Sequence, residues 1–554
     1  MEYNFESVNK IFEASMKANW NNLALSNFKG DGYTYGELAA NIEKLHILFE
    51  ESGLKQGDRV SLCSRNQANW VVAFLASLTY GAVPVPILHD FKAASVHNLV
   101  NHSESRILFA DGPVWANLDP AQMPDLDMIF DMDKLTLRSA GKAKLLQTEK
   151  DIRKIFNKKF PQFGPQDLNF YEDSPEELAV INYTSGTSGF SKGVMIPYRA
   201  IWSNIDFGRH VMDWLGPQHN MISMLPCAHM YGLMFEVLFE MTKGVHIHFL
   251  TRVPSPKIIL DAMAEIRPDL IIAVPLIIEK VYKSKVQPIL GKPAVNFAVK
   301  YIPFFKGLLY GKIRKALTEA FGGRFYEVIM GGAAFNKEIE HVFHDMKFRF
   351  TVGYGMTECA PIITYADWKV ARVGSSGVAA PNMEIRIESR DPRNVPGEIQ
   401  VHGANVFQGY YKAPEETAEC FTEDGWFRTG DMGVIDEDGF LYIKGRNKCM
   451  ILGPSGQNIY PEEIETVLNN IPNVIDTLVV EENNSLTALV YPDYAALKKL
   501  GIKSQDTQKH IEDQVRLANR DLPNYAQIKK VELMEDDFER TPKKSIKRYL
   551  YKKQ

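Results

Sequence analysis

Stretches with apolar residues at helical spacing alternate along the chain with short runs rich in β-branched and aromatic residues. The most apolar stretch runs from Trp70 to Leu88. Gly81, Pro84 and Pro86 interrupt it, so the pattern predicts a buried helix followed by a strand and not a membrane span. Ile271 to Val274, Glu327 to Met330 and Glu398 to His402 read as strands, and Leu178 to Asn182 as the end of another. This alternation predicts an α/β architecture. After the strand-like Phe440 to Ile443 comes a charged break, Lys444-Gly445-Arg446-Asn447-Lys448. A small α+β unit follows. A helix opens at Pro461 with Glu462, Glu463 and Glu465 near its start; strands are predicted at Thr477 to Val480 and Leu486 to Tyr491, and a helix from about Thr507. A chain of 554 residues exceeds what one core usually spans. We therefore expect a large N-terminal domain, 1–446, and a smaller C-terminal domain, 447–554, of about 100 residues.

Composition narrows the classes. The chain is 45% hydrophobic and 24% charged, as an ordinary globular protein is, so a sizeable core is expected. A net charge of -5 argues against a nucleic-acid binder. The five cysteines, Cys63, Cys227, Cys359, Cys420 and Cys449, form no C-x-x-C pair, so neither a zinc site nor a disulfide framework is expected. Scattered thiols suit a reducing compartment. The first twenty residues carry early acids and no long apolar core, unlike a signal peptide. A cytoplasmic location is the resulting expectation.

The strongest local signal is Tyr183 to Gly193, YTSGTSGFSKG. Thr184, Ser185, Gly186, Thr187, Ser188 and Gly189 supply backbone N–H groups and hydroxyls that can turn toward an anion, and Lys192 adds a charge. A Walker A reading fails, because Ser191 precedes Lys192 and Gly193 follows it. A bare Gly/Ser/Thr run is often only a surface loop; the strand before it and the lysine within it favour phosphate binding.

This run resembles the signature of the adenylate-forming superfamily, which includes acyl-CoA synthetases, luciferases and peptide-synthetase adenylation domains. The other motifs appear in that family's order from about residue 30 to the C-terminus, so the resemblance covers nearly the whole chain. It implies a large multi-layer adenylating domain and a mobile C-terminal domain. It also implies ATP and coenzyme A as co-substrates, with Mg²⁺. Gly331-Gly332-Ala333-Ala334 would carry the adenine, with Gly332 and Ala333 closest and Tyr354 on the other face. Gly353-Tyr354-Gly355-Met356-Thr357-Glu358 is similar to the family's YGxTE motif: Thr357 would bond the α-phosphate, and Glu358, with Thr184, would hold Mg²⁺, a hard cation that prefers oxygen. Thr429-Gly430-Asp431 resembles the ribose site, where a carboxylate suits two vicinal hydroxyls and Arg446 would close over them. Pro226 to Gly232 resembles the segment beside the reacting carboxylate, with His229 at the acyl tunnel mouth. The hinge would be Lys448, and Gly456 would lie against the pantetheine tunnel. Taken singly, a GGAA turn, a TGD or a loop histidine is more often structural.

One motif departs from the family. The adenylation lysine normally stands directly before the apolar residue of a GKI-type motif. Here Ser545 precedes Ile546, and Lys543 and Lys544 come earlier. We assign the role to Lys544, with Lys547 as the other candidate; a basic tail is the plainer reading of this segment.

Val274 to Tyr282, VPLIIEKVY, and Leu452 to Glu465 resemble the long-chain fatty acyl-CoA synthetase branch. The expected activity is therefore formation of a fatty acyl-AMP with release of pyrophosphate, then transfer of the acyl group to coenzyme A. A medium-chain or aromatic acid, a carrier-protein acceptor, or an adenylation-dead binding relative are the alternatives. From Lys280 through Thr318 there are eight lysines and Arg314 but no acid, with Tyr301, Phe304, Phe305 and Tyr310 interleaved. Such a surface can rest on anionic lipid headgroups, or it can be a solvated basic face. Oligomeric state is not legible.

Overall fold

Short parallel strands, with helices as crossovers, build most of the molecule. The structure is a computed structural model, and it describes residues 4–185, 191–251, 255–452, 458–482, 485–541 and 546–551. In one sheet Val83–Ile87, Arg59–Cys63, Ser105–Ala110 and Met128–Asp131 lie parallel in that order, with Thr136–Ala140 antiparallel at the edge. The helix Ala68–Thr79 crosses between two of these strands and is buried along its whole length. Burial explains why it has no polar face. Its Trp70 stacks on Phe74, and Phe109 stacks on Phe130 across neighbouring strands. Among the described residues, no helix is long and apolar enough to cross a membrane.

A second sheet holds Asn220–Ser223, His246–Phe249 and Leu23–Asn27 in parallel, with Gly32–Thr34 antiparallel at its edge. A parallel bridge from Met221 to Leu270 leads to a third sheet, Ile271–Ala273, Val328–Met330 and Phe350–Val352, all parallel. These three strands are apolar almost throughout, as strands covered on both faces must be. Helices supply Ile259, Met263, Leu317, Ile339 and Phe343 to the surrounding core. The three strands end at Val274, Gly331 and Gly353, side by side.

The α/β expectation holds, and a large unit is followed by a smaller one. The larger compact unit takes residues within 1–184, 191–384 and 401–425; the smaller takes Ser185 and residues within 385–400 and 426–554. Residue 447, where the sequence pattern changes, lies inside the smaller unit in this conformation. In that unit Phe427–Ile435 and Leu441–Arg446 form an antiparallel hairpin. Farther on, Val474–Glu482 pairs antiparallel with Ser485–Pro492, and Lys530–Leu533 lies parallel to the latter. The helices Pro461–Leu468 and Ser504–Ala518 pack Ile464, Leu468, Ile511 and Val515 into a core with Val479, Ala488 and Val490. Both strands of this hairpin run longer than the apolar pattern suggested, because pairing continues through Asp476, Glu481 and Glu482, which no hydrophobic period marks.

Candidate active site

The site in the larger unit is built at the carboxyl ends of the three short parallel strands, the usual location of ligand crevices in open α/β sheets. Gly331 N donates to Ala273 O at 3.2 Å and Gly353 N to Met330 O at 2.8 Å, which fixes the two turns against each other. Gly332 has φ of +82°, a left-handed backbone that glycine adopts without steric cost. A Cβ on Gly331 would stand 3.2 Å from the Tyr231 ring. Tyr231 in turn donates its hydroxyl to Ile329 O at 3.1 Å, pinning the short helix Met230–Leu233 to the central strand. His229 caps that helix, its Nδ1 accepting from Tyr231 N at 3.3 Å. His229, Tyr231, Gly332, Tyr354 and Thr357 line one cleft, with Phe207, Met212, Phe235 and Met330 as part of its apolar wall. The empty space between these residues, counted out into the solvent at the opening, is about 560 Å³.

Tyr354–Gly355 forms a two-residue strand paired with Ile362–Tyr365, and a 3₁₀ turn, Thr357–Cys359, follows it. Only glycine fits at 355, since a Cβ would come within 2.1 Å of Pro361 O. Thr357 and Glu358 are both buried. Glu358 Oε1 accepts from the Tyr410 hydroxyl at 2.9 Å, and Phe407 N donates to Glu358 O at 2.9 Å. Burial first, and the facing Glu358 charge second, push the Tyr410 phenol far above its ordinary value, so it stays a donor. The Lys192 ammonium lies 4.7 Å from the Tyr410 ring centre. Lys192 stands on the strand Ser191–Pro197, whose Val194 and Met195 pair with Tyr410 and Gly409. Lys192, Tyr410 and Glu358 thus form one connected cluster. No group of three or more metal-binding side chains occurs among the described residues. A lone buried carboxylate beside Thr357 suits magnesium, which takes one or two carboxylates and completes its shell with phosphate oxygens and water. Thr184 closes the described part of the strand Leu178–Ser185 with Ser185.

In the smaller unit the hairpin register sets Asp431 opposite Arg446, with Arg446 Nε 3.3 Å from Asp431 Oδ1. Thr429 Oγ1 donates to Ile399 O at 2.7 Å and accepts from Asp431 N at 3.1 Å, so the threonine holds the turn in shape. The positive φ of Gly430, +73°, makes that turn. Asp431 is buried while Arg446 is mostly exposed, an arrangement in which the cation can swing away. Lys448 sits in the 3₁₀ turn Asn447–Cys449, between the hairpin and the strand Ile451–Leu452. Lys547 pairs with Glu539 at 3.1 Å, and Arg548 pairs with the buried Glu465. Gly186, Thr187, Ser188, Gly189, Gly456 and Lys544 lie outside the described residues, as does the side chain of Ser185.

Four positioning residues carry no motif. Tyr410 orients Glu358. Asn204 donates to Cys359 O at 3.3 Å and accepts from Ile362 N at 3.1 Å, bracing the Thr357–Glu358 turn from a neighbouring helix. Asn182 donates to Ala228 O at 3.0 Å, tying the strand before the glycine-rich run to the His229 segment. The fully buried Glu236 accepts from Ser223 Oγ, Met224 N and Leu225 N and so shapes the same segment; burial raises its carboxyl well above the usual range. An asparagine at the end of an apolar strand was the one sequence signal available, and only for Asn182.

Residues 12–411 match the AMP-binding enzyme family, and residues 450–554 match the AMP-binding enzyme C-terminal domain. The long-chain-fatty-acid–CoA ligase FadD15 of Mycobacterium bovis is 26% identical over 579 aligned positions, covering 93% of this chain and 89% of that protein. Long-chain-fatty-acid–CoA ligase 4 of Saccharomyces cerevisiae is 27% identical over 474, covering 78% of this chain and 68% of that one. The crystal structure of ATP-bound MatB from Rhodopseudomonas palustris superimposes with a TM-score of 0.75 over 99% of this chain and 98% of that one, at 24% identity, and shares its fold.

Proposed function

Given that the chain belongs to the AMP-binding enzyme family, we propose that it joins a long-chain fatty acid to coenzyme A through an acyl-adenylate. The observation that carries this reading is the mostly apolar cleft that the glycine turn Gly331-Gly332 lines together with Tyr354, Thr357 and His229. The names of the M. bovis and S. cerevisiae relatives support the acid class.

In the first step a carboxylate oxygen attacks the α-phosphorus of ATP, and pyrophosphate leaves. Charge grows on oxygens already crowded by anions, so preorganised donors matter most. Gly332 and Ala333 present backbone to the adenine and Tyr354 covers its face. Thr357 donates to an α-phosphate oxygen, and Lys192 offsets phosphate charge at the glycine-rich run. Glu358, with Thr184, would hold magnesium, which supplies charge neutralisation at the phosphates. Asp431 accepts from the ribose hydroxyls and Arg446 lies over them. Lys544 supplies the adenylation cation. In the second step a thiolate attacks the acyl carbon and AMP leaves; Lys448 is the hinge between the two arrangements, and Gly456 leaves room for the pantetheine arm.

Product analysis with ATP, Mg²⁺, coenzyme A and a ladder of fatty acids tests this reading. AMP with acyl-CoA peaking at long chains is expected, and Lys544→Ala should abolish acyl-AMP formation while sparing thiolysis of supplied acyl-AMP. ADP in place of AMP, or no AMP with any acid, overturns it. Activity that survives Lys544→Ala transfers the role to Lys547.

A further inference from the structure

The segment 287–310 presents an unusual surface. The helix Pro293–Tyr301 has no buried residue at all, yet it carries Phe297, 63% exposed, and Tyr301, 60% exposed. These two lie four apart, on one helix face, with ring centres 4.8 Å apart. The next helix, Pro303–Ala320, repeats the device: Phe304 is 84% exposed and Leu308, four residues on, is also exposed, with Ile302 between the helices exposed as well. Val299 and Leu309 turn the other way and pack against the core. Both helices therefore keep an inner apolar contact and leave a second apolar face outside. Folding gains nothing from this outer face, and isolated exposed rings are common, but five large apolar side chains within twelve residues are not.

Charge says what covers it. From 280 to 318 the chain has eight lysines and one arginine and no acid. Lys300 follows Phe297 on the same helix, and Lys312 continues the line of Phe304 and Leu308 at helical spacing; both lysines are exposed. Two carboxylates reach lysines here, Asp345 to Lys306 at 2.8 Å and Glu319 to Lys315 at 4.0 Å. Lysines beside outward rings match a bilayer interface, where rings enter the acyl boundary and ammonium groups stay among anionic headgroups. We propose that the outer face of residues 293–315 docks this protein reversibly on the surface of an anionic lipid bilayer. The proposal stands on this surface alone and is independent of which acid the cleft accepts.

The test is co-sedimentation of the full chain with vesicles of phosphatidylcholine alone, and with vesicles in which part of it is replaced by phosphatidylglycerol, at low and high salt. Binding to the mixed vesicles only, weakened by salt, is expected. The double variant Phe297→Ser/Phe304→Ser should lose at least about tenfold in partition, since each ring inserts apolar area. Lys300→Gln/Lys312→Gln should lose about 25-fold, at about fivefold per lysine. Unchanged thermal melting of both variants shows that they fold, and unchanged acyl-AMP formation with soluble substrates shows that the cleft is intact. No binding to the mixed vesicles, equal binding to the neutral ones, or full binding by both variants overturns the proposal. So does a wild-type dimer in sedimentation velocity that Phe297→Ser/Phe304→Ser dissociates, because the face would then pack against a second copy.

Discussion

Replacing Tyr410 with Phe removes one oxygen from the centre of the Lys192–Tyr410–Glu358 cluster and little else. The ring stays, so the edge contact with Phe407, at a centroid distance of 5.0 Å, and the Lys192 ammonium at 4.7 Å both persist. What is lost is a 2.9 Å hydrogen bond from a buried phenol to a buried carboxylate, with the weak contact in which the same oxygen accepts from Cys420 Sγ at 4.0 Å. A hydrogen bond to a charged group contributes about 1.5–3 kcal/mol. That corresponds to about ten- to 150-fold in an equilibrium the carboxylate governs. If Glu358 is the magnesium carboxylate, half-saturating Mg²⁺ should rise by about ten- to a hundredfold, the usual effect of removing a group that orients a metal ligand. The assay is pyrophosphate release at fixed ATP and palmitate across a Mg²⁺ titration, beside calorimetric ATP binding with and without the ion. ATP affinity without Mg²⁺ should change little, and much of the lost rate should return at high Mg²⁺. A Mg²⁺ dependence equal to that of the wild type would refute the link between Tyr410, Glu358 and the metal.

Three further outcomes follow from the geometry. Gly355→Ala places a Cβ 2.1 Å from Pro361 O, which is backbone and cannot turn away; we expect a stability loss of about 1–3 kcal/mol and a fall in adenylation of about a hundredfold, whereas Gly307→Ala, with open space around it, should leave both intact, as melting curves and pyrophosphate release will register. Glu240 is fully buried, its carboxyl oxygens meet no partner among the described residues beyond the residue's own backbone N–H, and burial raises its pKa to about 8. A raised folded-state value means that the native chain keeps a proton the unfolded chain has released, so this stability is present below about pH 4.5 and is lost as pH rises toward 8, at up to about 1.4 kcal/mol per pH unit. Glu240→Gln should therefore match the wild type near the acid end and melt higher at pH 8; a melting difference constant across pH would count against the buried proton. Arg548→Met leaves Glu465 buried without its cation and should cost about 3–5 kcal/mol in the smaller unit, while the double change with Glu465→Leu should recover most of it in urea unfolding.

Much of the architecture was legible because its causes are local. The helix Ala68–Thr79 is apolar on nearly all sides, and such a helix has no stable place except inside. The strands at 271 and 328 are short and apolar because both their faces are covered, whereas the third, Phe350–Val352, was not marked in the sequence. The site motifs were visible for a related reason. Backbone and short polar groups are what meet phosphate, a base or a sugar, and Gly, Thr, Asp and Lys are concentrated in the runs 183–193, 331–334 and 429–431 that we propose for those roles. Tyr410 was not legible. It stands 52 residues from Glu358, and strand pairing of Gly409–Tyr410 with Val194 and Met195 sets it there. Asn204 reaches Cys359 from 155 residues away. Long-range pairings of this kind leave no period in the sequence.

The basic, aromatic-rich stretch separates the two sources of information most sharply. The sequence alone determined its charge, since no acid occurs from 280 to 318, and its helical spacing of apolar residues. It did not determine which apolar residues turn inward. Val299 and Leu309 could have exchanged places with Phe297 and Leu308 without breaking any helical pattern. Packing of Val299 and Leu309 against the apolar cluster decides the rotation of each helix, and so decides that Phe297 and Phe304 face out. The same division runs through the cleft. The identities of Thr357, Glu358 and His229 were written in local motifs. The convergence of Thr357 and His229 on one cavity depends on parallel strands whose order, Ile271–Ala273, Val328–Met330, Phe350–Val352, is fixed only when the helices between them close over both faces of the sheet.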